Sequence, residues 1–237
     1  MLELATWNVL APAYALPRRY AGVAPDDLAP GTRTPRVHAR LGDLLAECDV
    51  VAVQEADAEL VSWLGEDAAA SVVHAPRPSA PDGVLLASTS HELGGETGVT
   101  EDGRRTWASA TVDGVLVVSV HLDPEWPARR LAGARQAREL ARWLDEVAAP
   151  VVVVLGDINA AWTSRTGDVL RRSGFEASPA GSTAATHGRC RELDVVAVRG
   201  AASVVLTPAG LPPVGTAMWL PDPRVPSDHA PLLAVVD

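Results

Sequence analysis

Lysine is missing altogether from these 237 residues, so all 20 basic side chains are arginines. In a chain this rich in alanine, the bias marks a GC-rich coding sequence more than a mechanism. Cysteine is nearly absent too, and Cys48 and Cys190 are too few for a disulfide framework. No apolar run approaches the length that crosses a bilayer. The start, MLELATWNVL, lacks the basic region and long apolar segment of a secretion signal. These absences lead us to expect a reduced, cytoplasmic protein with no membrane association. Positive charge is also in short supply: 30 acidic residues against 20 basic ones give a formal charge of −10. That argues against a broad basic saddle for long duplex nucleic acid, where affinity comes mainly from neutralised phosphates. A substrate gripped locally at one end, or carboxylates that hold a cation, remain compatible with it. Proline and glycine, 19 of each, are scattered rather than blocked. No linker, repeat or low-complexity tract divides the chain, and a single catalytic domain over residues 1–237 is expected. No feature points to a protein partner.

Apolar residues, by contrast, make up 47% of the chain, enough for a sizeable core. The organising stretch is Val151–Asn159, VVVVLGDIN. Four consecutive valines and a leucine suit a strand buried on both faces, because β-branched side chains pack well on a pleated surface. Beyond Gly156, Asp157 and Asn159 lie two apart and so point to the same side of an extended segment. Gly, Asp and Asn also form turns, so this motif alone fits a turn equally well.

Other segments extend the pattern. Leu2–Val9 reads as a strand, and Ala11–Pro35, with five prolines, as an irregular surface loop. Arg36–Glu47 places Val37, Leu41, Leu44 and Leu45 on one helical face, and the short strand after it ends at Gln54-Glu55. A short helix is expected over Glu59–Glu66. Strands are expected over Gly83–Ser90, Trp107–Val112 and Val115–Val120, the last two joined by the hairpin signal Asp113-Gly114. Ala128–Ala148 reads as a long arginine-rich helix and Gly167–Ser173 as a shorter one. Glu192–Val198 is a strand, Ala201–Pro226 loops around one further strand, and Asp228-His229 leads into a last one. Strands with helices between them imply two packed sheets with helices outside. Polar groups recur at the strand ends: Asn8, Glu55, His121, Asp157 with Asn159, Asp194, and Asp228 with His229. One such residue is noise, but six sets are hard to assign to turns.

The ordered set TWN (Thr6–Asn8), QE (Gln54-Glu55), HL (His121-Leu122), GDIN (Gly156–Asn159), LD (Leu193-Asp194) and SDH (Ser227–His229) resembles the endonuclease/exonuclease/phosphatase superfamily. It covers nearly the whole chain. The resemblance implies an α/β fold of the DNase I-like kind, a four-layer α/β/β/α sandwich of two mixed sheets flanked by helices. It also implies metal-dependent phosphoesterase activity. TWNVLAPAYA and HLDPEW look most like the branch of deadenylases, nocturnin, 2′,5′-phosphodiesterase and Angel-type RNA-end enzymes. Exonuclease III-like members tend to carry an Asp where this chain has Leu10, which argues against a second metal dependent on that Asp. Inositol polyphosphate phosphatases resemble the chain at GDIN and SDH, but their aromatic-rich motif is absent.

The roles that follow are those the resemblance implies. Glu55 is the first choice of ligand for Mg²⁺, with Mn²⁺ as a substitute and with Asn8 and Asp228 beside it. Mg²⁺ is a hard cation that prefers oxygen and keeps several waters around one or two carboxylates. His229 is the general base or transition-state donor, oriented by Asp194. Asp157 orients water or assists the leaving group, and Asn159 and His121 donate to phosphate oxygens. Trp126 and Trp162 could stack a base, although packing suits such tryptophans better. Arg129, Arg130, Arg135 and Arg138 fit phosphate contacts or a solvated helix face equally. His38, His74, His91 and His187 have no such company and read as surface or core residues. RNA is the leading substrate. A small-molecule or lipid-headgroup phosphate is the alternative, and an inactive RNA-binding module of the same fold is a third reading.

Overall fold

The computed structural model describes residues 1–125, 131–177, 180–200 and 203–237. The first half runs β1 (Leu2–Asn8), α1 (Pro25–Leu28), α2 (Pro30–Glu47), β2 (Val50–Asp57), α3 (Ala58–Glu66), β3 (Ser71–Pro76), β4 (Asp82–Ser88), β5 (Gly95–Val99), β6 (Thr106–Val112) and β7 (Val115–His121). The second half runs α4 (Ala132–Val147), β8 (Val151–Asp157), α5 (Arg165–Arg172), β9 (Glu176–Ala177), β10 (Ala184–Thr186), β11 (Arg189–Arg191), β12 (Asp194–Arg199), β13 (Val204–Thr207) and β14 (Leu232–Val236).

The strands form two six-stranded sheets, ordered β13-β14-β1-β2-β4-β3 and β5-β6-β7-β8-β12-β9, plus the small hairpin β10-β11. Each large sheet has a parallel pair at its centre, β1 with β2 and β7 with β8, and antiparallel neighbours around it. Buried strands alternate their side chains between two apolar environments. Leu4, Val50, Leu86, Val117, Leu155 and Val196 meet in the core between the sheets. Ala5, Val51 and Val53 face Leu41, Leu44 and Leu64 of α2 and α3. Val118, Val152 and Val154 face Leu140, Leu144 and Leu170 of α4 and α5. Both faces of each sheet are therefore covered, which gives the expected four layers, and burial of each such side chain contributes about 1.5–3 kcal/mol.

One departure from expectation bears on the site. Ala11–Pro35 is not all loop: α2 starts at Pro30, six residues before the expected Arg36, and runs through Pro35. Proline is well placed at Pro30, the first helical position, where its missing N–H has no partner to lose. Pro35 lies further in and leaves the Gly31 carbonyl without a helical donor, a loss offset by the packing of Arg33 and Val37, both buried. The expected helix from Ala128 is observed from Ala132, and residues 128–130 lie outside the described residues.

Candidate active site

The topology explains why polar strand ends converge. Parallel β1 and β2 finish together, as do parallel β7 and β8. This places Asn8 with Gln54-Glu55, and His121 opposite Asp157. Strand β12 runs antiparallel to β8 with Asp194 paired to Asp157, so its start meets the end of β8. The start of β14 returns beside β1 in the same way and delivers Asp228-His229, and Trp7 Nε1 donates to the His229 carbonyl at 2.8 Å. The result is a cleft of about 380 Å³ whose lining includes Asn8, Glu55, His121, Asp157, Asn159, Asp228 and His229. Asp194 stands behind His229.

Between the two sheets, Gln54 Nε2 donates to Thr6 Oγ1 at 3.1 Å and to Ser119 Oγ at 3.3 Å. Gly156 sits against this bridge at φ 137°, where an added Cβ would lie 2.1 Å from the Val120 carbonyl oxygen and 3.0 Å from Gln54 Nε2. Glycine is required there on both counts.

Glu55 occupies a bulge in β2 at φ 60°, left-handed backbone that a side-chain-bearing residue adopts at a cost. Its carboxylate accepts from Ala11 N at 2.9 Å and from Asn8 Nδ2 at 3.3 Å. Burial, and secondarily the Asp228 carboxylate, push its pKa up to about 7. Two oxygen-donor side chains crowded in one cleft, with one of them reluctant to ionise, suit a hard cation. Glu55 and Asp228 would hold such an ion, and Tyr20 Oη already steadies Asp228 by donating to Oδ2 at 3.0 Å. Asn8 turns its Nδ2 to Glu55 and Asp157, and its Oδ1 accepts from Leu10 N at 3.0 Å. Leu10 is buried with Ala15, Tyr20 and Leu28 and offers no ligand.

A stability measurement checks this strain. With its pKa raised from 4.5 to about 7, Glu55 contributes stability that is fully present below pH 4.5 and is lost as pH rises through 7. In EDTA, Glu55→Gln should therefore gain melting temperature over wild type between pH 5 and pH 8. Mg²⁺ should raise the wild-type melting temperature at pH 8 and leave the variant unchanged. Parallel pH curves for the two proteins would show that Glu55 is under no such strain.

Asp157, Asp194 and His229 bring their ligand atoms within 4.8 Å of one another. His229 Nδ1 lies 2.8 Å from Asp194 Oδ2, and its Nε2 lies 3.8 Å from Asp157 Oδ2. With Nδ1 hydrogen-bonded to Asp194 and Nε2 in ion-pair range of Asp157, this trio is a charge cluster centred on His229 rather than an oxygen-rich metal cage. Burial opposes the imidazolium, but Asp194 and then Asp157 outweigh it and hold the pKa well above the usual histidine value. Asp157 accepts from Asn8 Nδ2 at 3.0 Å and from Asn159 N at 2.7 Å, and burial raises its pKa to about 6. His121 Nε2 is 3.5 Å from the same carboxylate, yet burial, followed by Arg105 and Arg77, keeps the ring neutral. Asn159 Nδ2 donates to the Leu122 carbonyl at 3.0 Å, which leaves its second amide hydrogen for the cleft.

The cleft walls hold residues that strand reading did not find: Tyr14, Tyr20, Arg77, Arg105, His187 and Arg191. Their only sequence signal was composition, since all lie on loops or on three-residue strands. Arg33 is missed because the prolines around it made the start of α2 read as a loop. It is 2% exposed, and its Nη1 donates to the Val9 and Pro226 carbonyls at 2.9 and 3.1 Å, tying the segment after β1 to the one before Asp228. Trp162 is not in the cleft. It packs on the α4–α5 layer with the Arg171 guanidinium 5.7 Å from its ring, as the packing reading expects. Trp126, Arg129 and Arg130 lie outside the described residues, and Arg135 is paired with Asp102 at 2.6 Å.

The family model described as the Endonuclease/Exonuclease/phosphatase family matches residues 5–229. The chain belongs to that family and is a hydrolase acting on phosphate esters. No curated protein sequence matches it. Among solved structures it is similar to ANGEL2, a 2′,3′-cyclic phosphatase in complex with adenosine-2′,3′-vanadate. That match has a TM-score of 0.75 at 13% identity and covers 98% of this chain and 94% of that one. The human nocturnin catalytic domain with bound sulfate gives 0.67 at 15% identity, covering 100% and 93%. The 3′ phosphatase NExo from Neisseria, bound to a product DNA hairpin, gives 0.64 at 18% identity, covering 100% of both chains. At these identities the likeness establishes the fold. No helix among the described residues is long and apolar enough to cross a membrane.

Proposed function

We propose that this protein is a Mg²⁺-dependent phosphoesterase acting on the end of an RNA strand, either removing a terminal or cyclic phosphate or trimming from the 3′ side. The observation that carries the reading is the buried Asp194–His229–Asp157 cluster at the floor of a cleft walled by arginines. A phosphate ester resists attack because its anionic oxygens repel nucleophiles, so positive charge must meet the phosphate and a base must meet the water. Asp157 takes the proton of the attacking water, and the bond to the departing oxygen breaks on the opposite side, that oxygen taking up a proton from solvent as it leaves. The His229 imidazolium donates from Nε2 to a phosphoryl oxygen, with Asp194 as its positioning residue. Asn159 and neutral His121 supply further N–H donors. A divalent cation bound by Glu55 and Asp228 would add charge stabilisation at the phosphate.

Two neighbours support an end-directed activity: ANGEL2 is a 2′,3′-cyclic phosphatase, and NExo is a 3′ phosphatase bound to a nucleic-acid product. The inactive-module reading is disfavoured because the six polar sets are intact.

End-labelled RNAs test the proposal on a sequencing gel: oligo(A), a 2′,5′-linked adenylate, and strands ending in a 3′-phosphate or a 2′,3′-cyclic phosphate. Loss of the terminal group alone is expected of an end phosphatase, and a ladder of an exonuclease. No change on any strand with Mg²⁺ or Mn²⁺ would overturn RNA as the substrate and favour small phosphate esters.

A further inference from the structure

We propose that the cleft continues into a second phosphate-binding subsite formed by Arg77, Arg104 and Arg105, so that the substrate carries a second phosphate group beside the one hydrolysed. This deepens, and rests on, the phosphoesterase reading. A concavity of about 640 Å³ adjoins the cleft and shares Tyr14, Arg77 and Arg105 with it, while Arg104 and Ser79 line only the outer part. The two spaces therefore form one track leading from His121 outward.

The track is positively charged within an acidic chain. Arg104 Nε and Arg105 Nε converge on the two oxygens of the buried Asp123, at 3.2 and 2.8 Å. Arg77 Nη2 binds Asp82 and the Tyr14 hydroxyl. Three guanidiniums thus line a track supported by two carboxylates. Arg104 and Arg105 meet Asp123 through Nε, and each has further N–H donors on its planar fork, whose geometry matches phosphate oxygens. Tyr14 is fixed by donating to Asp82 at 2.8 Å, and Arg19 and Arg77 stand 5.9 Å from its ring, so the wall between the two spaces is preorganised. A solvated ion-pair network needs no such concavity and no continuity with the cleft.

The second phosphate could be the next internucleotide linkage of a strand or a second ester on a small molecule. Calorimetry in Ca²⁺ with adenosine 3′-monophosphate, adenosine 3′,5′-bisphosphate and the dinucleotide ApAp (ending in a 3′-phosphate) separates the two. At least one ligand bearing the second phosphate should bind about tenfold more tightly than the monophosphate, with a steeper salt dependence. A gain confined to ApAp identifies a strand, and an equal gain for the bisphosphate identifies a small molecule. Arg104→Gln and Ser79→Glu, both at surface positions, should each shrink that preference by about three- to tenfold, and Ser79→Arg should enlarge it. Equal affinity of wild type for all three ligands, or an unchanged preference in both Arg104→Gln and Ser79→Glu, would overturn the subsite. If the preference holds but no ligand is hydrolysed in Mg²⁺, the subsite stands and the RNA-end reading falls.

Discussion

His229→Ala is expected to lower kcat by at least a hundredfold while changing KM little, because its Nε2 is proposed to bond the phosphoryl oxygen most strongly as charge develops there. Removing a preorganised donor of this kind typically costs about 3–4 kcal/mol of transition-state stabilisation. The variant also leaves the buried Asp194 carboxylate without the 2.8 Å partner it has in the wild type, so stability should drop as well. Asp194→Asn added to His229→Ala removes the orphaned charge and should recover melting temperature without recovering rate. That separation distinguishes a catalytic loss from a folding loss. Asp194→Asn alone should shift the basic limb of the pH–rate profile to lower pH, since Asp194 is the largest influence favouring the imidazolium. Steady-state kinetics on a 3′-phosphorylated oligonucleotide and thermal melts check all three variants. A His229→Ala protein with near-normal kcat would remove this residue from the chemistry.

Gly156→Ala should add a strongly destabilising methyl group at the protein's centre. At φ 137° an alanine is strained whatever the space, and its Cβ would meet the Val120 carbonyl oxygen at 2.1 Å. Strand β7 cannot retreat, because it is paired with β8 through seven registered positions and with β6 on its other side. Gln54 limits movement from the opposite sheet. A loss of about 3 kcal/mol or more is expected, a large share of the 5–15 kcal/mol typical of a folded domain. Urea unfolding measures it, and an unchanged midpoint would show that the two central strands can part at no cost. Because Asp157 follows directly, folded Gly156→Ala protein should also be slow.

The strands were legible in the sequence where burial on both faces leaves an uninterrupted apolar run, as in Val151–Leu155 and Val115–Val118. The site was legible where its residues terminate such runs: Asn8, His121 and Asp157 stand at strand ends, and Glu55 just past the last β1–β2 pair, because the two central parallel pairs finish on the same side. Asp194 and His229 belong to the same end only through antiparallel neighbours, and the family resemblance, not spacing, joined them. Tyr14, Tyr20 and Arg33 escaped notice because five prolines made their segment look like a surface loop. Three-residue strands such as β10 and β11 hold too few residues to show a period, so His187 and Arg191 had no frame to be placed in. Trp162 stands near GDIN in sequence, and its packing against α5 is what the packing reading expects.

The pairing of β1 with β14 has a consequence for when this protein becomes active. Asn8 and His229 stand 221 residues apart in the chain, yet they share one cleft. Contacts spanning more than two hundred residues close late in folding. While the chain is still being synthesised, β1 must wait with an open edge until Leu232–Val236 arrives. A nascent chain can have completed β7, β8 and their helices and still lack His229, the group proposed to face the phosphate. On the proposed mechanism hydrolysis waits until β14 has been made, and products truncated before Asp228 should be inert toward any phosphate ester the full chain cleaves.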